Sequence, residues 1–315
     1  MKLHTLVAAI LAGSLVFAAP ARAQKASGSS VALKSATDAE DQVRLTRVTP
    51  EYWRVTFHNP PYNIYGPKTM PQLNEVVTAL ETDPRVRVVV FESDVPDFFL
   101  THYDFVPPLT DTTGLPDGAT GLPPLPDMLV RISKAPVVSI ASIRGRATGV
   151  GSELALASDM RFASREKAVL SQWEIAAGLV PGGGPMSRLP RLVGRGRALE
   201  VLLTGNDIDG PTAERYGYVN RALPDAELDA FVETMARRIS RFDKQAIADI
   251  KRIVDDSSLP SNEQIGAEWA GFINSVQRPA AQQRVKQLME LGLQQKPDVE
   301  KRLPEYTGKL GGTAD

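Results

Sequence analysis

From residue 41 onward the chain alternates apolar and polar positions. Val43-Arg-Leu-Thr-Arg-Val48 and Trp53-Arg-Val-Thr-Phe57 alternate apolar and polar residues, as half-buried β-strands do. Asn59-Pro60-Pro61 ends the second strand, because proline cannot donate to a ladder. The period then lengthens. Leu73, Val76, Val77 and Leu80 predict a helix over 68–82, closed by Asp83-Pro84. Val86 to Phe91 is a continuous apolar run, as expected of a parallel strand covered on both faces, so strand, helix and strand predict a βαβ unit with a right-handed crossover. Residues 106–126 are rich in Pro, Gly, Asp and Thr and carry no period; they read as a lid or binding loop, or else as a surface insertion. Pro136 to Ser142 predicts another buried strand, Ser152 to Ser158 a helix start, and Met160 to Phe162 a short strand.

Beyond Pro185 helical periods dominate, over 186–193, 196–204, 210–216, 226–240, 244–254, 262–277 and 280–293, before a polar tail. No internal repeat is visible. The expected organisation is an α/β core over 41–255 and a helical C-terminal region with its tail over 256–315. The last two long helices carry Ile265, Trp269, Phe272, Ile273, Val285, Leu288 and Leu291, available to a neighbouring copy or to packing within the chain.

The first forty residues follow another pattern. Met1-Lys2-Leu3-His4, an apolar run from Thr5 to Ala19, and Ala21-Arg22-Ala23 have the layout of an export signal cleaved after Ala23. The run is shorter than the roughly 20 residues of a membrane-spanning helix. Residues 24–40 are small and polar, a flexible lead-in. The expectation is an exported, periplasmic protein without stable membrane insertion after cleavage; the alternative is an uncleaved N-terminal anchor.

Composition narrows the chemistry. Lys plus Arg number 36 and Asp plus Glu 37, so no net field favours nucleic acid. The absence of cysteine removes disulfides, thiol nucleophiles and cysteine-ligated zinc. Three histidines, His4, His58 and His102, make a histidine-rich metal site an unsuitable reading, and no metal is expected.

Arg144-Gly-Arg-Ala-Thr-Gly-Val-Gly-Ser-Glu-Leu-Ala155 runs from a buried strand through a glycine-rich turn into a helix. Gly149 and Gly151 allow a sharp bend and close backbone approach. The first N–H groups of the helix are unpaired and lie at the positive end of its dipole, which suits an oxygen acquiring negative charge. Glu153 falls on the first helical turn. The competing motifs fail: Leu154 stands where a dinucleotide fingerprint needs its third glycine, the phosphate-loop ending is missing, and Ser152 is not in Gly-x-Ser-x-Gly. Read by itself, the stretch is equally a tight turn followed by a helix-terminal charge.

The surroundings add a resemblance. Lys134 to Asp159, Met160 to Ala168, Gln172-Trp-Glu174, Gly178 to Gly184, Arg188 to Arg195, Leu203-Thr-Gly205, Ala213 to Val219 and, earlier, Val55 to Asn63 resemble the crotonase (enoyl-CoA hydratase/isomerase) family in order and spacing, over roughly residues 43–254. The resemblance implies a crotonase fold, an α/β architecture of repeated ββα units with a helical C-terminal region. It implies a small-molecule acyl thioester, usually of coenzyme A, as substrate, with no cofactor beyond the coenzyme A of that substrate, and assembly as a homotrimer or hexamer. The family holds the thioester oxygen, as it becomes an enolate, with two backbone N–H groups. On this chain those map to Val150 and to Tyr103, the latter in Phe98-Phe-Leu-Thr-His-Tyr-Asp-Phe105, where many members read Phe-Ala-Ala-Gly-Ala-Asp-Ile. His102 therefore stands at a usual glycine. Glu153 and Glu174 map to the carboxylate pair that holds a water in the family's hydratases, and Trp173 replaces a common proline.

The expected activity is hydration of a 2-enoyl thioester, with Glu153 and Glu174 catalytic, Tyr103 and Val150 as backbone donors, and His102, Asp104, Gly149, Gly151 and Trp173 about the pocket. The alternatives are an isomerase, a coenzyme-A-independent carbonyl hydrolase or lyase using His102, and a non-catalytic acyl-ligand binder. His102 itself either packs and binds a backbone carbonyl or takes part in proton transfer.

Overall fold

The alternating stretches pair as their periods require. Strand β1 (Val43–Arg47) runs antiparallel to β2 (Tyr52–Phe57). Helix α1 (Thr69–Thr82) then returns the chain to β3 (Val88–Ser93), which lies parallel to β2. Leu73, Val76, Val77 and Leu80 of α1 are all buried, as the helical spacing predicts. The computed structural model describes residues 41–310, so the export signal and lead-in lie outside the described residues.

A repeated unit follows. β3 leads to β4 (Phe98–Leu100), the short α2 (Thr110–Thr113) and α3 (Pro124–Lys134); β5 (Val138–Ile143) leads to β6 (Arg146–Thr148) and α4 (Val150–Ala157); β7 (Met160–Ser164) leads to β8 (Val169–Ser171) and, after a 3-10 turn over Glu174–Ala177, to α5 (Pro185–Val193) and α6 (Arg195–Thr204). β9 (Ile208–Asp209), α7 (Gly210–Tyr216) and β10 (Arg221–Leu223) close the core. In each ββα repeat the first strand joins a six-stranded sheet ordered β1-β2-β3-β5-β7-β10, and the second joins a four-stranded sheet ordered β4-β6-β8-β9. The α/β expectation with repeated ββα units holds.

The continuous apolar run of β3 has a direct cause. Val89 and Phe91 enter the main core with Trp53, Val55 and Leu129. Val88 and Val90 face the other way, into a second core with Ile140 and with Leu228 and Val232 of α8 (Asp225–Ile239). Both faces of the sheet are covered, so alternation disappears.

Two parts of the chain depart from the sequence expectation. Residues 106–126 are not one aperiodic loop: α3 begins at Pro124, with proline in its first turn, where the missing N–H is no loss. Asp127 ties the preceding segment down, accepting from the N–H and hydroxyl of Thr120 at 2.8 and 2.7 Å. The polar tail, for which no period predicts an element, carries helices too. After α9 (Lys244–Ser258), α10 (Asn262–Val276) and α11 (Pro279–Leu291), it folds into α12 (Pro297–Lys301) and α13 (Leu303–Thr307). The apolar positions of α10 and α11 are used within the chain: Ile265, Trp269, Phe272 and Leu288 are buried. The exposed apolar side chains Ile250, Ile253 and Val254 belong to α9 instead.

One turn fixes where the small sheet ends. Asn63 is fully buried and sits at φ 51°, a left-handed conformation that asparagine tolerates better than most residues. Its Oδ1 accepts from Asn59 N–H at 2.6 Å, and its Nδ2 donates to Ser93 Oγ and Phe99 O, both at 2.7 Å. Its carbonyl accepts from Thr101 N–H at 2.9 Å, just past β4. Asn63→Ala removes the three side-chain bonds and leaves buried groups unpaired, at about 1–3 kcal/mol each. The expected result is a loss of about 3 kcal/mol or more in chemical denaturation; a loss below about 1 kcal/mol contradicts this role.

Candidate active site

β4, β6 and β8 lie side by side and parallel in the small sheet. The residues just past their ends therefore converge: His102 and Tyr103 after β4, Val150 after β6, Trp173 and Glu174 after β8. These residues and Glu153 line a cavity of about 30 Å³, enough for a water or two. Phe105, Leu125, Leu179, Trp269 and Phe272 close it.

The backbone at the bottom of this cavity is almost completely paired. Gly149 N–H donates to Ser171 O at 3.1 Å, Gly151 N–H to Thr101 O at 3.2 Å and Asp104 N–H to Tyr65 O at 2.8 Å. Between them, the N–H groups of Tyr103 and Val150 have no acceptor among the described residues. Each belongs to a peptide whose carbonyl is already bonded: His102 O accepts from Tyr65 N–H at 3.0 Å and Gly149 O from Glu153 N–H at 2.9 Å. Bonding at the carbonyl polarises the peptide and strengthens its free donor.

Two glycines make the approach possible. Gly149 has φ +55°, and a Cβ there would lie 3.1 Å from Glu174 Oε1 and 3.2 Å from His102 Cα. At Gly151 a Cβ would lie 1.7 Å from Leu100 O, so the start of α4 is pressed against the end of β4. Val150, between them, lines the cavity. Arg161 anchors the other end of α4, donating to Ser158 O at 2.6 Å and Ala155 O at 3.3 Å.

Both glutamates face the cavity. Glu153 is buried, and its Oε1 accepts from Gly183 N–H at 2.7 Å. Burial pushes its carboxyl up to about 7, against the Gly183 bond, which favours the charged form; nearby Glu268 adds to the rise. Glu174 is partly exposed as a residue, but its carboxyl points inward, and burial followed by repulsion from Glu153 pushes it up to about 8. The two titrate as a pair. In the amide orientation that satisfies its neighbours, Gln172 donates to both Glu174 oxygens at 3.2 and 3.3 Å and accepts from Ser152 Oγ at 3.0 Å. Ser152 Oγ is in turn bonded to Tyr218 Oη. A fully buried chain of Tyr218, Ser152 and Gln172 thus holds the second carboxyl in place.

These raised values carry a stability cost with a definite sign. An acid whose folded pKa exceeds its unfolded value of about 4.3 stabilises the fold below that value and loses the contribution as pH rises through about 8. Glu174→Gln is therefore expected to raise stability at pH 9 by several kcal/mol, up to about 5, with little change at pH 4. Thermal melts at the two pH values check this; equal shifts at both contradict it.

His102 lines the cavity, but neither ring nitrogen is free. Nδ1 is 2.7 Å from Tyr103 O and Nε2 is 3.1 Å from Glu300 Oε2. Trp173 packs edge-on against the ring at 5.4 Å, and its own Nε1 is buried without a partner among the described residues. Asp104 lies outside the cavity lining: its Oδ1 accepts from Gln294 Nε2 at 2.7 Å. The structure thus brings Tyr103, Val150, Glu153, Glu174, His102 and Trp173 together around one space and leaves Asp104 beside it. Gln294 and Glu300 were not singled out by sequence reasoning; Gly183 and Tyr218 stood only inside the matched stretches, and Ser152 only as a nucleophile position that fails its motif. Gln172 was seen only as part of the Gln-Trp-Glu stretch, and its spacing two residues before Glu174 was the available signal.

Known proteins similar to this chain share a family and a fold. The model of the Enoyl-CoA hydratase/isomerase family matches residues 52–308. A Bacillus subtilis protein assigned as an enoyl-CoA hydratase is 28% identical over 257 residues, covering 81% of this chain and 95% of its own length. The bovine mitochondrial enoyl-CoA hydratase domain-containing protein 2 is 35% identical over 167 residues, about half of each protein: 52% of this chain and 55% of the relative. Among solved structures, a Streptomyces avermitilis protein assigned as an enoyl-CoA hydratase superposes with a TM-score of 0.82 at 39% identity, covering 88% of this chain and all of that one (100%). The chain belongs to the enoyl-CoA hydratase/isomerase family.

Proposed function

We propose that the chain is a hydro-lyase that adds water across the double bond of a 2-enoyl thioester. The observation that carries this reading is the coincidence, around one small cavity, of two buried carboxyls and two unpaired backbone N–H groups. The hydratase assignments of the relatives support it.

The chemistry needs one base and one acid. A carboxylate takes a proton from water as its oxygen bonds to the β-carbon; the electron pair moves to the thioester oxygen, and a carboxylic acid then protonates the α-carbon. Two raised, mutually repelling carboxyls that share one proton supply both forms at once. The Gly183 N–H on Glu153 favours its charged form, which assigns Glu153 as base and Glu174 as proton holder. Tyr103 and Val150 N–H receive the enolate oxygen.

The alternative in which His102 handles a proton in carbonyl cleavage has less support, since both of its ring nitrogens are committed. The test is a panel: 2-enoyl and 3-enoyl coenzyme A esters and free β-diketones offered to purified residues 24–315. Hydration of the 2-enoyl esters is expected. Turnover confined to the 3-enoyl esters or to the diketones contradicts the proposal. The proposed export is tested separately, by N-terminal sequencing from fractionated cells, with Gln24 expected first in the periplasmic fraction.

A further inference from the structure

The segment carrying Tyr103 is held from an unexpected direction. Past α11, Gln294 and Glu300 reach back across the chain. Gln294 accepts from Phe105 N–H at 2.8 Å and donates to Asp104 at 2.7 Å. Glu300 Oε1 accepts from Gln294 N–H at 2.6 Å, and its Oε2 meets His102 Nε2 at 3.1 Å. Both side chains of that ion pair are almost fully buried, 2% and 1% exposed. Tyr103 therefore sits between residues that the C-terminal strap grips on either side.

We propose that Glu300 is a positioning residue for the oxyanion segment, fixing the His102 ring and through it the Tyr103 peptide.

Tyr103 O can only accept, so Nδ1 carries a proton, and with Glu300 ionised Nε2 carries one as well. The directions agree. Burial opposes charge on the ring, but Glu300 overcomes it and the pKa rises; burial likewise opposes the Glu300 carboxylate, and His102 overcomes it. The imidazolium then donates to Tyr103 O, holding the turn that carries the unpaired Tyr103 N–H at the cavity. The charged groups around the ring are Glu300 from α12, Asp104 from its own segment, and Glu153 and Glu174 at the cavity; Arg146 acts on Glu300 from behind. Where relatives have glycine, as the resemblance indicates, no ring needs such a partner. This chain has both the ring and the strap that answers it.

The inference rests on the hydratase reading, and Glu300→Gln separates the two. The variant keeps shape and a hydrogen bond but removes the charge that holds the imidazolium. With histidine-labelled protein, the His102 signal of the parent is expected to titrate above the ordinary histidine range and that of the variant within or below it; His58→Gln assigns the spectrum. For turnover of a 2-enoyl thioester, kcat is expected to fall about tenfold, less than the loss of a whole oxyanion donor, with KM within about twofold. The ratio of variant to parent kcat is expected to recover as pH falls through the lowered His102 titration, a rescue that general loosening does not give. Should the variant fail to fold, Glu300→Asp keeps the charge but draws it back from His102 Nε2, and kcat is again expected to fall, by less than in Glu300→Gln, with KM within about twofold. An unchanged kcat, a loss confined to KM, or a His102 titration indifferent to Glu300 overturns the proposal. If the parent hydrates no enoyl thioester, the hydratase reading fails, and the titration still decides whether Glu300 holds the ring charged.

Discussion

Glu153→Gln and Glu174→Gln are each expected to lower kcat for hydration of a short 2-enoyl thioester by about 10²–10⁴-fold, the usual worth of a positioned acid or base. KM should change little, because neither carboxyl is needed to hold the acyl group before reaction. The amide matches the carboxylate in size and keeps a bond to Gly183 N–H at position 153 or to Gln172 at position 174, so folding is not the cause of the loss. The two substitutions should not be additive, since each removes half of one proton-sharing unit. Steady-state kinetics of the singles and the double variant check this. A single variant within tenfold of the parent, or a double variant that still turns over, contradicts the two-carboxyl mechanism.

Gly151→Ala is expected to have the next largest effect and to act through the backbone. The added Cβ would fall 1.7 Å from Leu100 O and 2.4 Å from Leu100 C, neither of which can move without shifting β4 against α4. Overpacking of this kind costs about 3 kcal/mol or more. It also separates the two free N–H groups, Tyr103 and Val150, which belong to the segments forced apart. A lost oxyanion donor costs about 10²–10³ in kcat. The expected result is a lower melting temperature together with at least that loss of kcat in the protein that remains folded. Activity within tenfold of the parent contradicts the role given to the close approach of these segments.

How far the sequence reveals this arrangement depends on element length. β2, α1 and β3 are long enough for a period to form, and their bounds fall within two residues of expectation. β4, β6 and β8 have only three residues each, too few for a period-two pattern, yet they bring the site together. α3 was hidden by Pro123, Pro124 and Pro126, which read as loop punctuation although proline suits a first helical turn. Glu153, Glu174, Tyr103 and Val150 were identifiable because ordered motifs surround them. Glu300 was not: it lies in a polar tail, 198 residues from His102, and only the folded chain brings them together. The bond between Tyr218 and Ser152 was invisible for the same reason, since a hydrogen bond between distant residues has no local period.

The central claim is that water adds across a conjugated thioester at the Glu153 and Glu174 pair. Incubating the purified chain with a 2-enoyl coenzyme A ester in water enriched in oxygen-18 and deuterium tests it most directly. The account predicts loss of the enoyl absorbance and a 3-hydroxyacyl product carrying one oxygen-18 at the β-carbon and one deuterium at the α-carbon, with both labels lost in the double Gln variant. A product without oxygen-18, or no product from any 2-enoyl ester offered, contradicts it.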